Sequence, residues 1–182
     1  MTGKSPAGPL MQEHRVIERM IALLRVELVS IAGTGRADTA FLDSAADFIH
    51  TYADLCHHGK EEHILFALLA SRELEPDLAS EMADLIQDHV LGRKMTRGLV
   101  DANRRYATGD KEAVAEIQSA IQSLVDFYPV HIAKEDKHFF KPALQQLTAD
   151  ERDQLLLDFD EFDRGLIHRR YRGLVEQLEA RT

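Results

Sequence analysis

Four stretches of this chain carry inward-type residues at alternating steps of four and three, and that repeat constrains the fold more than any other feature. The first runs Leu10, His14, Ile17, Ile21, Leu24, Leu28, Ile31, and the second Phe41, Ala45, Phe48, Tyr52, Leu55, Gly59, Glu62, Phe66, Leu69. The third runs Leu78, Met82, Leu85, His89, Gly92, Thr96, Leu99, and the fourth Ile117, Ile121, Leu124, Tyr128, His131, Glu135, His138. Such a period is the seam of packed helices, and no period-two strand pattern competes with it.

Punctuation falls between the stretches. GTGR at 33–36 precedes Asp38, Pro76 suits the first turn of a helix, and TGD at 108–110 ends in an N-cap residue. Thr148 and Glu151 form a capping box before a last run. The spacing predicts helices at roughly 10–32, 38–72, 76–107, 111–143 and 149–180. The expected fold is all-α: an up-down-up-down four-helix bundle over 9–146, a flexible leader over 1–8, and an additional C-terminal helix over 147–182 packed on the bundle.

Each seam is interrupted by ionisable groups where a bundle normally places Leu or Ile: His14, then Glu62 with His58 one turn before it, then His89, then His131 with Glu135. In antiparallel helices, residues equidistant from the connecting turn lie at one depth. The midpoint of positions 14 and 60 is 37, that of 60 and 89 is 74.5, and that of 89 and 133 is 111, the first two in predicted turns and the third beside the TGD turn. All four helices therefore bring their polar groups to one layer. Buried carboxylates without partners cost several kcal/mol, so the layer demands cations or protons. Four imidazoles and two carboxylates without a thiolate suit iron better than manganese or zinc. Gly59 and Gly92, on the seams in the same layer, leave room for the ions. Among the remaining polar residues, Glu61 points about 100° away from Glu62 on an α-helix and reads as solvated. His50, His57, His63 and His168 read as surface or packing residues.

The segments EHRVIE, CHHGKEEHILF, QDHVLGR and HIAKEDKHFF resemble those of the hemerythrin superfamily, in particular the prokaryotic hemerythrin-like HHE cation-binding domains, over residues 8–145. The resemblance implies a non-haem di-iron centre, two Fe ions with an oxo or hydroxo bridge, held by His14, His58, His89 and His131 with Glu62 and Glu135 bridging. The classical oxygen carriers have a second His four residues after the third-helix ligand, where this chain has Arg93, and an Asp five residues after the fourth-helix His, where Glu135 stands four after. The expected site is thus one His short, with His138 or Tyr52 as the substitute and Glu18 as a rival carboxylate.

The formal net charge of −9 and the lack of a basic stripe argue against nucleic acid. No apolar run approaches the ~18 residues of a membrane helix, and MTGKSPAGP lacks the apolar core of a signal peptide. With a single cysteine, Cys56, the expectation is a cytoplasmic protein. The leading functional expectation is a protein that binds or senses dioxygen, nitric oxide or peroxide. A redox enzyme reducing nitric oxide or peroxide with an electron-donor protein, and an iron-responsive regulatory module, share the same site. The last predicted helix, with Leu155, Phe159, Phe162, Leu166 and the basic HRRYR at 168–172, is expected to cross the bundle end or to mediate a homodimer.

Overall fold

A computed structural model describes residues 5–179, with side chains to residue 166, so the HRRYR segment lies outside the described side chains. The helices are α1 (Ala7–Thr34), α2 (39–70), α3 (Pro76–Ala107), α4 (113–145) and α5 (Ala149–Glu179), and no strand occurs among the described residues. The first four form the up-down-up-down bundle, and α5 follows it.

The turns form where local chemistry dictates. Gly35 ends α1 in the left-handed conformation at φ 67°, its N–H donating to the Ile31 carbonyl. Asp38 then caps α2 by accepting from the Phe41 N–H at 3.0 Å. Pro76 opens α3, which ends near Gly109 at φ +108°. Asp110 accepts from the Glu112 N–H at 3.2 Å in a short turn, so α4 begins at Ala113 rather than at 111.

The largest departure from the sequence reading lies in α2. Ile49–His58 and Glu61–Phe66 are wound as π-helix, with a third π segment, Glu135–Phe139, in α4. The buried stripe of α2 is Ile49, Ala53, His57, Glu61, Leu65, Leu69, each four residues after the last. On an α-helix such a stripe would drift by about 40° per step, or about 200° over its length, and end on the opposite face. The wider π turn cancels that drift and keeps the whole stripe against the bundle. Leu55, expected on the seam, is accordingly turned outward.

The core is in two parts. Ile17, Ala53, Leu99 and Tyr128 belong to an apolar cluster that extends to the 33–38 and 108–112 turns. Leu10, Leu65, Leu85 and Phe139 belong to a second cluster at the other end, which also buries Leu155 and Phe159 of α5. Between the two, every helix of the bundle contributes buried ionisable side chains. Gly59 does not make room for that layer: a Cβ there would stand 2.8 Å from Phe162 Cζ, so the glycine admits α5. At Gly92 the neighbour is the Phe127 ring.

At the start of α5 the Glu151 carboxylate accepts from the Thr148 N–H at 2.8 Å and from Arg72 Nη2 at 2.7 Å. Arg72, then Thr148, holds its pKa down to about 2, against an ordinary 4.5. A depressed carboxylate stabilises the fold fully above its unfolded value and loses that contribution as pH falls toward the folded value. Thermal melts between pH 4.5 and 2 should therefore fall less steeply for Glu151→Gln than for the native chain, and above pH 4.5 the variant should be the less stable of the two.

Candidate metal centre

Seven ionisable side chains meet in the polar layer, each no more than 2% exposed: His14, His57, His58, Glu61, His89, His131 and Glu135. They divide into two groups whose ligand atoms lie within 4.8 Å of one another. One is His14, His57, Glu61 and Glu135, and the other is the imidazole triad His58, His89 and His131. The carboxylates stand between the groups. Glu61 has one oxygen 3.6 Å from His57 Nε2 and the other 3.5 Å from His89 Nε2. Glu135 lies 3.2 Å from His14 Nε2, 3.4 Å from His131 Nε2 and 3.6 Å from His89 Nε2.

The outward nitrogens of four of the imidazoles face carboxylates, and these form a closed ring around the bundle. Glu13 of α1 lies 2.9 Å from His57 Nδ1 on α2, and Glu62 of α2 lies 2.7 Å from His89 Nδ1 on α3. Asp88 of α3 lies 3.5 Å from His131 Nδ1 on α4, and Asp136 of α4 lies 2.7 Å from His14 Nδ1 on α1. Asp54 stands 3.8 Å from the fifth ring, His58. Each of these carboxylates touches a cation: Lys60 on Glu13, Arg93 on Glu62 and Asp54, Lys134 on Asp88, and Arg15 on Asp136.

An imidazole that donates its Nδ1–H outward presents a bare Nε2 lone pair inward. His14 and His57 both do so, yet their Nε2 atoms are 2.8 Å apart. Two facing lone pairs at that distance require a cation, either a proton or a metal ion. Both oxygens of Glu61 and Glu135, His89 Nε2 and both nitrogens of His58 and His131 lack any hydrogen-bond partner. Nine buried polar atoms in one layer would cost far more than a folded domain tolerates. The donor set, nitrogen-rich with two anionic oxygens and no thiolate, fits divalent iron.

The electrostatics show the same demand for positive charge. Burial raises the Glu61 pKa well above the carboxylate range, and the neighbouring Glu135 adds to this. Burial acts in that direction on Glu135 too, but His131 and then His14 and His89 outweigh it and hold it well below. Burial pushes His57 down to about 4 and His58 well below its usual value. His14 and His89 are instead raised, because Glu135 with Asp136 or Glu62 outweighs burial. The cluster thus retains protons where metal ions would compete for the same lone pairs.

Five of the six expected site residues, His14, His58, His89, His131 and Glu135, meet in the cluster. Glu62 does not: it lies just outside, accepting from Arg93 Nη2 at 2.6 Å behind His89. Its expected place is taken by Glu61, and the fifth imidazole is His57, both overlooked because an α-helical projection turns them away. The π turns bring them in. A signal was present, since Ile49, Ala53, Leu65 and Leu69 continue the 57–61 spacing in steps of four, whereas 58–62 extends to His50 and Asp54. The expectation of a missing His is therefore corrected.

The substitutes do not reach the cluster. His138 is exposed, because the π turn gives the inward place to Phe139. Glu18 pairs with Arg15 at the surface, and Tyr52 stacks on Phe48 with ring centroids 5.0 Å apart. Arg93, at the position of the classical oxygen carriers' second third-helix His, ties Asp54 to Glu62. A cavity of about 590 Å³ between α2 and α3 extends to His58, lined also by Asp54, Arg93, Thr96 and Tyr128.

The family model of the hemerythrin HHE cation binding domain matches residues 6–143. Uncharacterized proteins of Mycobacterium tuberculosis (strain H37Rv) and Mycobacterium bovis are similar to the chain, at 24% identity over 140 residues, 77% of this chain. The chain spans about half the length of these curated relatives, 53% of each. No solved structure gives a significant match. No helix among the described residues is long and apolar enough to cross a membrane.

Glu61→Met should act with opposite signs in two conditions. In chelator-treated protein, removing an unpartnered buried carboxyl should stabilise the fold by about 1–3 kcal/mol. With divalent iron present, the native chain should gain in Tm and the variant should not. Melts of both proteins with and without chelator measure this; a variant less stable in chelator would mean that the protein itself satisfies Glu61.

Proposed function

The chain belongs to the hemerythrin HHE cation-binding family, and from that premise we propose that it is a cytoplasmic non-haem di-iron protein that binds or senses dioxygen, nitric oxide or peroxide. The observation that carries this reading is the placing of two buried carboxylates, Glu61 and Glu135, between an imidazole pair and an imidazole triad. His14 and His57 would hold one iron, His58, His89 and His131 the other, with Glu61 and Glu135 shared. One ion thus has one fewer protein donor, which suits a small exogenous ligand. When bound, a ferrous pair supplies electrons to a small oxidant, while the protein orients its ligands and excludes bulk water.

The chain's own residues do the remaining work. Asp136, Glu13 and Glu62 fix three imidazoles with Nε2 inward. Phe140 stacks on His14, Phe66 on His89 and Phe127 on His131, so these rings are held by packing as well as by charge. A second reading, reduction of nitric oxide or peroxide with electrons from a donor protein, is favoured by the outer carboxylates. They make the imidazoles more basic and so favour the oxidised ions.

The test is anaerobic reconstitution with ferrous iron, followed by metal quantitation and visible spectra before and after air. Two irons per chain with new absorption bands are expected. A reversible spectrum supports binding or sensing, and turnover with a reductant supports the enzyme. No iron uptake would overturn the proposal.

A further inference from the structure

The family match ends at residue 143, but the chain of contacts that begins at the candidate metal centre does not. His57 Nδ1 meets Glu13, and the other oxygen of Glu13 accepts from the ammonium of Lys60. Lys60 is only 1% exposed, an unusual place for a lysine, and its second anionic partner is Asp163 of α5 at 2.9 Å. Asp163 also accepts from Cys56 Sγ, the residue before His57, at 3.1 Å. Phe162, beside Asp163, occupies the space that the missing Cβ of Gly59 leaves, one residue after His58. Three positions of α2, Cys56, Gly59 and Lys60, in the turn that carries His57 and His58, are therefore held from outside by one turn of α5.

We propose that α5 is a working part of the metal centre: Asp163, through Lys60 and Glu13, is a positioning residue for His57 and hence for the ion held by His14 and His57. The inference rests on the di-iron reading of the cluster. Its physical basis is that a buried ammonium cannot remain between two carboxylates if one is lost. Without Asp163, Lys60 has, among the described residues, only Glu13 to neutralise it and is drawn further onto it, away from the geometry that serves His57. The triad His58, His89 and His131 has no link to Asp163 through the outer carboxylates, since Glu62 and Asp54 are held by Arg93 and Asp88 by Lys134. One ion should therefore respond and the other should not. Coupling of this kind is reciprocal, so ion binding also holds α5 in place.

The experiment uses the full chain loaded anaerobically with ferrous iron. Glu13→Gln should weaken one of the two ions about 10- to 100-fold, and Asp163→Ala, one step further out, about 3- to 10-fold. In the Mössbauer spectrum only one of two iron signals should change, a selectivity that general loosening of the fold would not give. Asp163→Glu should restore it, and Asp160→Ala, on the exposed side of α5 where Asp160 pairs with Arg164, should leave both ions as they were. In the native chain, amide exchange over α5 should slow when iron is added. Two ions bound by Asp163→Ala as tightly as by the native chain would overturn the inference and leave the proposed function standing. So would exchange over α5 that ignores iron, a measurement that needs no variant. Failure of the native chain to bind iron at all would overturn both.

Discussion

Seven ionisable side chains share one buried layer of this bundle, and everything else in the structure is arranged around the cost of putting them there. The inner lone pairs converge, while the outer nitrogens of four imidazoles are met by carboxylates of the neighbouring helices. The ring runs from α1 to α2, α2 to α3, α3 to α4 and α4 back to α1, so it closes only if all four helices are in register. Apolar seams alone tolerate small slips of one helix along another. Three charge-assisted hydrogen bonds and a fourth, longer imidazole–carboxylate approach do not, and the layer therefore sets the depth at which the two apolar clusters begin and end.

The same layer explains the helix geometry. An α-helix cannot present His57, Glu61 and their apolar continuations on one straight line. The π segments of α2 and α4 occur where ionisable donors must be aimed, and the α-helical parts flank them. The π turn is a rare conformation, and here it keeps one stripe buried from Ile49 to Leu69.

This division also accounts for what could be read from the sequence. The helices, the turns at Gly35, Pro76 and Gly109, and the common depth of the polar groups depend on local propensity and on counting residues from a turn, and these are legible. Five of the six expected residues meet in the cluster for that reason. A 3.6-residue turn places Glu62 inward in place of Glu61 and turns His57 away, in a segment that does not have that turn. The supposed missing His rests on Arg93 alone, and His57 supplies the fifth imidazole from α2 instead. The contact of α5 with Gly59 was beyond reach for a different reason: a glycine that makes room does not say for what.

The outer carboxylates carry a pattern of their own that follows from the ring. Glu13 precedes His14 in the chain but serves His57, and Glu62 follows Glu61 but serves His89. Asp88 precedes His89 but faces His131, and Asp136 follows Glu135 but serves His14. On each helix one residue points into the layer while its neighbour in sequence reaches round to the next helix. A substitution at any of these paired positions thus acts on two helices at once, through the donor it adjoins and the imidazole it orients. Metal affinity and bundle register are therefore one property of this fold rather than two, because the contacts that aim the donors are the contacts that align the helices.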